Sequence, residues 1–171
     1  MAKKTNLSEV SLINHDDAAK WVIGVITADW NPDITHSLRD GCVNHLNAEG
    51  IKEENLKLLS VPGTFEITCA AKMLLQKYPA MNAVIGIGCV IKGETSHNEY
   101  INHAVATGLT QLGLVSGKPC VFGVLTPNTH EQAVERSGGK HGNKGVEAAT
   151  TAIQMIALKS SLNKTKTTIG F

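Results

Sequence analysis

Aromatic residues are scarce in this chain: two Trp, two Tyr and three Phe among 171 residues. The core must rest on aliphatic side chains, and where the few aromatics fall is informative. Long hydrophobic runs are lacking too. No stretch approaches the roughly 18 apolar residues that a membrane-spanning helix requires, and residues 1–17, MAKKTNLSEVSLINHDD, lack the apolar centre of a secretory signal. A cytoplasmic protein with no membrane partner is expected. Charge of one sign is also missing, since 16 Lys and Arg stand interspersed with 15 Asp and Glu for a formal net charge of +1. Without a broad basic surface there is no electrostatic footprint for nucleic acid, and small-molecule partners are favoured. The cysteines Cys42, Cys69, Cys89 and Cys120 form no CxxC pair, which argues against a structural zinc site and a thioredoxin-type motif. Reduced thiols filling core positions are expected instead. No Pro-, Ser- or Gly-rich tract divides the chain, so one domain is expected over residues 21–160, between an N-terminal arm (1–20) and a C-terminal tail (161–171).

What is present is an alternation of two periodicities. Residues 21–27 (WVIGVIT) form a continuous apolar run bounded by Asp29, Asn31 and Pro32, as suits a strand buried on both faces. Ile34, Leu38, Cys42 and Leu46 then recur every four residues, a helical stripe followed by Gly50, a residue suited to the left-handed cap position. The pattern repeats, with strand over 56–61, helix over 65–78, strand over 83–91, helix over 98–114 and strand over 119–125. Next, Thr129-His-Glu-Gln132 has capping-box spacing and opens a short helix. A glycine-rich turn over 138–142 precedes a last helix over about 143–160, and the tail from 159 onward is expected to fray. Val10, Leu12 and Ile13 could add a short strand to a sheet. Repeated β–α units imply an α/β fold, a three-layer αβα sandwich around a four-stranded parallel sheet. Such sheets bind ligands beyond the carboxyl ends of their strands, which directs attention to residues 28–31, 62–66, 92–97 and 126 onward.

Three of the scarce aromatics fall near those ends: Trp30 after the first strand, Phe65 after the second, and Phe122 within the fourth near its exit. Together they could clamp a flat heterocycle; singly, each reads equally as core packing. The segment KGETSH (92–97) leaves a strand and enters a helix whose free N–H groups and positive dipole end would attract an anion, with Gly93 admitting a phosphate close to the backbone. A plain βα turn capped by Thr95 or Ser96 fits the same residues. His97 can exchange protons near neutral pH and suits general acid–base work, although an isolated histidine is commonly structural or solvated. Arg136 and Lys144 flank the glycine-rich turn. The guanidinium suits bidentate phosphate binding, or equally a solvated place at a helix C-terminus. His15, His36, His45, His103, His130 and His141 show no metal-ligand spacing, so no metal is expected. Dinucleotide, P-loop and nucleophile-elbow signatures do not occur.

Taken in order, DWN (29–31), VPGTFE (61–66), GCVIKGETSH (88–97), FGVLT (122–126) and QAVERSGGKHGNKG (132–145) resemble the pattern of the 6,7-dimethyl-8-ribityllumazine synthase family over residues 22–158. The PG-x-FE and VI-x-G-x-T-x-H segments are the most specific. The resemblance implies a flavodoxin-like sheet and a transferase of riboflavin biosynthesis, with neither metal nor organic cofactor. Its two small-molecule substrates would be 5-amino-6-(D-ribitylamino)uracil and 3,4-dihydroxy-2-butanone 4-phosphate, condensed with release of phosphate and water. His97 would donate and accept protons. Trp30, Thr64, Phe65, Glu66, Cys89, Val90, Ile91, Phe122 and Lys144 would surround the ribitylaminouracil, and Gly93, Glu94, Thr95 and Arg136 the butanone phosphate.

The same resemblance implies sites between subunits of a homopentamer, with Phe122, Arg136 and Lys144 reaching the loops of an adjacent chain and the arm extending a neighbour's sheet. The turn GGKHGNKG resembles that of members forming an icosahedral shell of sixty subunits, with riboflavin synthase as an associated partner. Two positions depart from the family pattern: Asn98 stands where an aromatic often follows the site histidine, and Cys89 where threonine or another small residue is common. Both bear on affinity rather than on the reaction. The alternative is a non-catalytic shell protein that binds a pyrimidine or lumazine; the joint presence of His97, Arg136 and Lys144 speaks against it. A flavodoxin-like signalling domain would need an acidic cluster that Asp29 alone does not supply.

Overall fold

A computed structural model of the chain describes residues 6–13 and 15–164. Strands β1 (Ile23–Ala28), β2 (Leu56–Val61), β3 (Ala83–Cys89) and β4 (Cys120–Leu125) form one parallel sheet in the order β2-β1-β3-β4. Helices α1 (Pro32–Ala48) and α5 (Lys144–Lys164) cover one face; α2 (Ile67–Lys77) and α3 (His97–Ser116) cover the other. Pleating decides which residue meets which layer. Ile23 and Val25 of β1 join Leu38 and Cys42 of α1 and Ile153 of α5, while Ile26 and Ala28 turn toward Ile67, Leu74 and Leu109. Every residue of β1 and β3 is buried, which is why both segments are unbroken apolar runs. β2 is an edge strand, and Leu58, Leu59 and Ser60 remain exposed along it.

Where the first turn of α5 meets α1 there is no room for a side chain. A Cβ on Gly145 would lie 1.8 Å from the Leu38 carbonyl oxygen of α1. Gly145→Ala is therefore expected to push α5 off α1 and to cost about 3 kcal/mol or more, the upper part of the overpacking range, seen as a lower denaturation midpoint. An unchanged midpoint would show that the crossing yields freely.

Several boundaries differ from the sequence expectation. The third strand stops at Cys89 rather than 91, and Thr64–Glu66 form a 3₁₀ turn before α2 begins. His97 is the first residue of α3 and not part of the preceding turn. α5 runs to Lys164, because Ser161, Leu162 and Asn163 hold nothing that stops a helix; residues 165–171, the rest of the expected tail, lie outside the described residues. The glycine-rich turn after α4 (His130–Arg136) is an antiparallel hairpin of β5 (Ser137–Gly139) and β6 (Gly142–Asn143). Half of the expected capping box forms: Thr129 Oγ1 accepts from the Gln132 N–H at 3.3 Å, but Gln132 Oε1 takes the Asn128 N–H instead of returning to Thr129.

The arm contains no strand among its described residues. It lies against its own chain, where the Ser8 hydroxyl bonds the Asn143 backbone and the Ile13 N–H is shared by both oxygens of the buried Glu49 carboxylate at 2.9 and 3.0 Å. Cys42 and Cys89 are buried and Cys120 half-buried, but Cys69 is exposed on α2, against the expectation of a core thiol. Among the described residues no helix is long and apolar enough to cross a membrane.

Candidate active site

The loops leaving β1, β2 and β3 meet beyond the carboxyl edge of the sheet. The Asp29 N–H donates to the Val61 carbonyl at 2.8 Å and Ser60 Oγ donates to Asp29 Oδ1 at 3.0 Å, so the first two loops are tied together. Thr64 is buried against Gly88, where a Cβ would come within 2.7 Å of its Oγ1. Glycine in β3 thus lets the 64–66 turn sit down on the sheet, and the adjacent Phe65 is left standing outward. Trp30 is 72% exposed, Phe65 58% and Tyr100 76%, in a chain with few aromatics to spare.

These three rings rim a cleft of about 870 Å³ whose walls also include Thr64, Glu66, Cys89, Val90, Ile91, Gly93, Thr95 and His97. The structure therefore gathers most of the residues expected around the two substrates into one hollow. Tyr100 was missed by sequence reasoning. The signal was available, because His97, Tyr100, Ile101 and Ala104 fall at i, i+3, i+4 and i+7 and line the cleft from one face of α3. Glu94 is exposed in the 92–96 segment and does not line the hollow.

Between β3 and α3 the chain offers backbone donors to an anion. Ser96 occupies the N-cap position without a side-chain cap bond, and Thr95 Oγ1 reaches the His97 N–H only at 3.5 Å. The plain capped turn is thus barely formed, and the positive end of a twenty-residue helix opens beside the cleft. A Cβ at Gly93 would meet nothing within 4 Å and its φ is not positive, so neither packing nor backbone geometry calls for glycine there. The space beside it is open. The His97 ring is exposed, with no hydrogen-bond partner among the described residues. Cys89, by contrast, is a buried wall residue whose thiol is pushed up to about 12 by burial, with the nearby Asp33 charge adding to the effect.

Three expected site residues stand apart. Phe122 pairs with Gly86 in the middle of β4, which corrects its expected place near the strand exit. It is half-buried and, with Lys144, lines a second hollow of about 660 Å³ between α3 and α5. Arg136 ends α4, where its guanidinium donates to the His141 carbonyl at 2.7 Å and pairs with Glu147 Oε1 at 2.7 Å. The other Glu147 oxygen takes the Lys144 ammonium at 3.1 Å, so a single carboxylate joins both cations. Asn143 fixes their spacing: its amide donates to Ser37 O at 2.9 Å and Ser137 O at 3.2 Å, and its Oδ1 accepts from the Gly145 N–H at 2.8 Å. Sequence reasoning assigned a role to neither Glu147 nor Asn143, and nothing in their residue types marks them out. Among the described residues no group of three or more His, Cys, Asp or Glu is placed to hold a metal.

Each chain thus carries an aromatic cleft with a helix N-terminus and a histidine at one place, and a paired set of cations at another. The pattern that describes the 6,7-dimethyl-8-ribityllumazine synthase family matches residues 20–160, which contain both. The chain belongs to that family. The 6,7-dimethyl-8-ribityllumazine synthase of Parabacteroides distasonis is 44% identical over 151 residues, covering 88% of this chain and 94% of the relative. That of Cytophaga hutchinsonii is 48% identical over 136 residues, with 80% and 85% covered. That of Bacteroides fragilis is 46% identical over 141 residues, with 82% and 98% covered. The flavodoxin-like sheet expected of the lumazine synthase family is the four-stranded parallel sheet described above.

Proposed function

We propose that this chain catalyses the condensation of 5-amino-6-(D-ribitylamino)uracil with 3,4-dihydroxy-2-butanone 4-phosphate to 6,7-dimethyl-8-ribityllumazine, in the cytoplasm, as a step of riboflavin biosynthesis. The observation that carries this reading is the cleft itself, in which exposed Trp30 and Phe65 stand beside His97 and an open helix N-terminus in a chain of this family. Trp30 stacks on the flat pyrimidine, and Phe65 with the Cys89, Val90 and Ile91 wall encloses it. Thr64 and Glu66 hold the ribityl chain. Gly93, Glu94 and Thr95, in the turn before α3, receive the phosphate, Glu94 through its backbone only, and the phosphate charge is met by the helix N-terminus.

The chemistry follows from this placement. The uracil 5-amino nitrogen attacks the ketone carbon, and the C–O bond of the adduct breaks to leave an imine and water. A proton leaves the neighbouring carbon as the phosphate C–O bond breaks. The enol so formed takes a proton at its terminal carbon to become a methyl ketone, and the ribityl-bearing nitrogen closes the second ring on this new carbonyl with loss of a further water. His97 is the group in the cleft suited to carry these protons.

Phe122, Arg136 and Lys144 serve the cleft of an adjacent chain in a homopentamer, Arg136 meeting the phosphate and Lys144 and Phe122 the ring. None of the three lines its own chain's cleft, which supports this. The working domain runs from residue 21 through the end of α5 at Lys164, and residues 1–20 are an arm that extends a neighbour's sheet. The free edge of β2, with Leu58 and Leu59 exposed, is suited to receive such an arm. The compact β5–β6 hairpin supports closure of pentamers into an icosahedral shell of sixty subunits, with riboflavin synthase as an associated partner.

Mixed assemblies test the shared site. Chains with His97→Ala and chains with Arg136→Ala are each expected to lose most activity. An equal co-refolded mixture should recover about a quarter of wild-type activity, the share of interfaces that unite an intact His97 with an intact Arg136. The readout is lumazine fluorescence together with inorganic phosphate. Absence of recovery would overturn the shared site, and wild-type protein that binds the uracil but releases neither product would be a binding shell instead.

A further inference from the structure

Asn31 follows Trp30 directly and is the only non-glycine residue with positive φ among the described residues, at φ 59° and ψ 58°. Asparagine tolerates this left-handed conformation better than most residues, yet it still needs a compensating reason. Its place at the N-cap of α1 suggests one, because asparagine there ordinarily accepts an N–H of the first turn with its side-chain oxygen. Asn31 makes no such bond. The capping falls to its main-chain carbonyl, which accepts from the Ile34 and Thr35 N–H groups at 3.0 Å each and from Thr35 Oγ1 at 3.2 Å.

The side chain is thereby released for another task. Its Nδ2 donates to the Cys89 carbonyl at 3.1 Å, crossing from the loop after β1 to the exit of β3. The paired register of those two strands ends at Thr27 and Ile87, so this bond continues their linkage beyond the last ladder position. On one side of it stands the exposed indole of Trp30, and on the other the wall formed by Cys89, Val90 and Ile91.

We infer that Asn31 is a positioning residue: its amide fixes the spacing between Trp30 and the Cys89–Ile91 wall, and so the width of the slot offered to the pyrimidine. The inference rests on reading the cleft as the pyrimidine site. Its effect is expected mainly on the pyrimidine, because the bond holds the Cys89 carbonyl, four residues before Gly93, and touches neither Gly93 nor Thr95.

Three substitutions separate the backbone from the amide. Asn31→Gly keeps the left-handed backbone and removes the donor. Asn31→Asp keeps the backbone preference but sets a non-donating oxygen against the Cys89 carbonyl. Asn31→Ala strains the backbone as well. For the glycine and aspartate variants KM for the ribitylaminouracil is expected to rise about five- to tenfold, the scale of one lost hydrogen bond. KM for the butanone phosphate should stay within about twofold and kcat within about threefold. Quenching of Trp30 fluorescence by the lumazine product should weaken in parallel, with buried Trp21 as a constant background. Asn31→Ala should add a lower melting temperature to the same loss. If Asn31→Gly and Asn31→Asp bind the uracil as wild type does, the positioning role is overturned while the cleft keeps its assignment. If wild-type Trp30 is not quenched by lumazine at all, the cleft assignment fails and this inference with it.

Discussion

His97→Ala is expected to lower kcat about 100-fold while KM for each substrate stays within about threefold. Proton transfer by a positioned side chain contributes roughly 10²- to 10⁴-fold, and the low end applies here for two reasons. The ring is exposed and unpartnered among the described residues, so water can partly stand in for it. Holding two reactants against one another supplies acceleration that the substitution leaves intact. His97→Gln, which keeps a polar side chain but cannot exchange protons near neutral pH, should fall with alanine. Steady-state rates from lumazine fluorescence decide the matter. Rates within about threefold of wild type for both variants would take His97 out of the proton path.

Arg136→Ala is expected to lower kcat/KM for the butanone phosphate about 10- to 100-fold with little change in KM for the uracil, since hydrogen bonds to a charged group are worth about 1.5–3 kcal/mol. The guanidinium also holds the hairpin through the His141 carbonyl and Glu147, so alanine could act through structure. Arg136→Lys separates the two, because it keeps the charge beside Glu147 but loses the planar fork that grips two phosphate oxygens. An intermediate loss confined to the phosphorylated substrate supports direct contact. Equal loss for both substrates would assign Arg136 to hairpin support.

The fold was legible in the sequence because a parallel sheet covered on both faces has no choice of pattern: β1 and β3 must be apolar throughout, and α1 must carry one stripe at fourfold spacing. The cleft was legible for a related reason, since ligands gather beyond such strand ends and Trp30 and Phe65 stood there in a chain short of aromatics. Phe122 was misplaced because a strand residue's height along the sheet depends on register, and its partner Gly86 sits mid-strand. Glu147, Asn143 and Asn31 stayed hidden because their work is done by side chains reaching across the chain to Arg136, Ser37 and Cys89, contacts that leave no local periodicity. The end of α5 was misjudged for want of a stop signal, polar residues near 160 being equally at home on a solvated helix.

The neutral thiol of Cys89 carries a consequence for chemoselectivity. The butanone phosphate is an electrophile, and a thiolate in the cleft would compete with the uracil amine for its ketone carbon, diverting it into a hemithioketal. Burial, with the nearby Asp33 charge, raises the Cys89 thiol and so keeps it protonated near neutral pH, and only the deprotonated sulfur is strongly nucleophilic. On the proposed cleft assignment, burial of this one side chain would leave the uracil amine without a competing sulfur nucleophile.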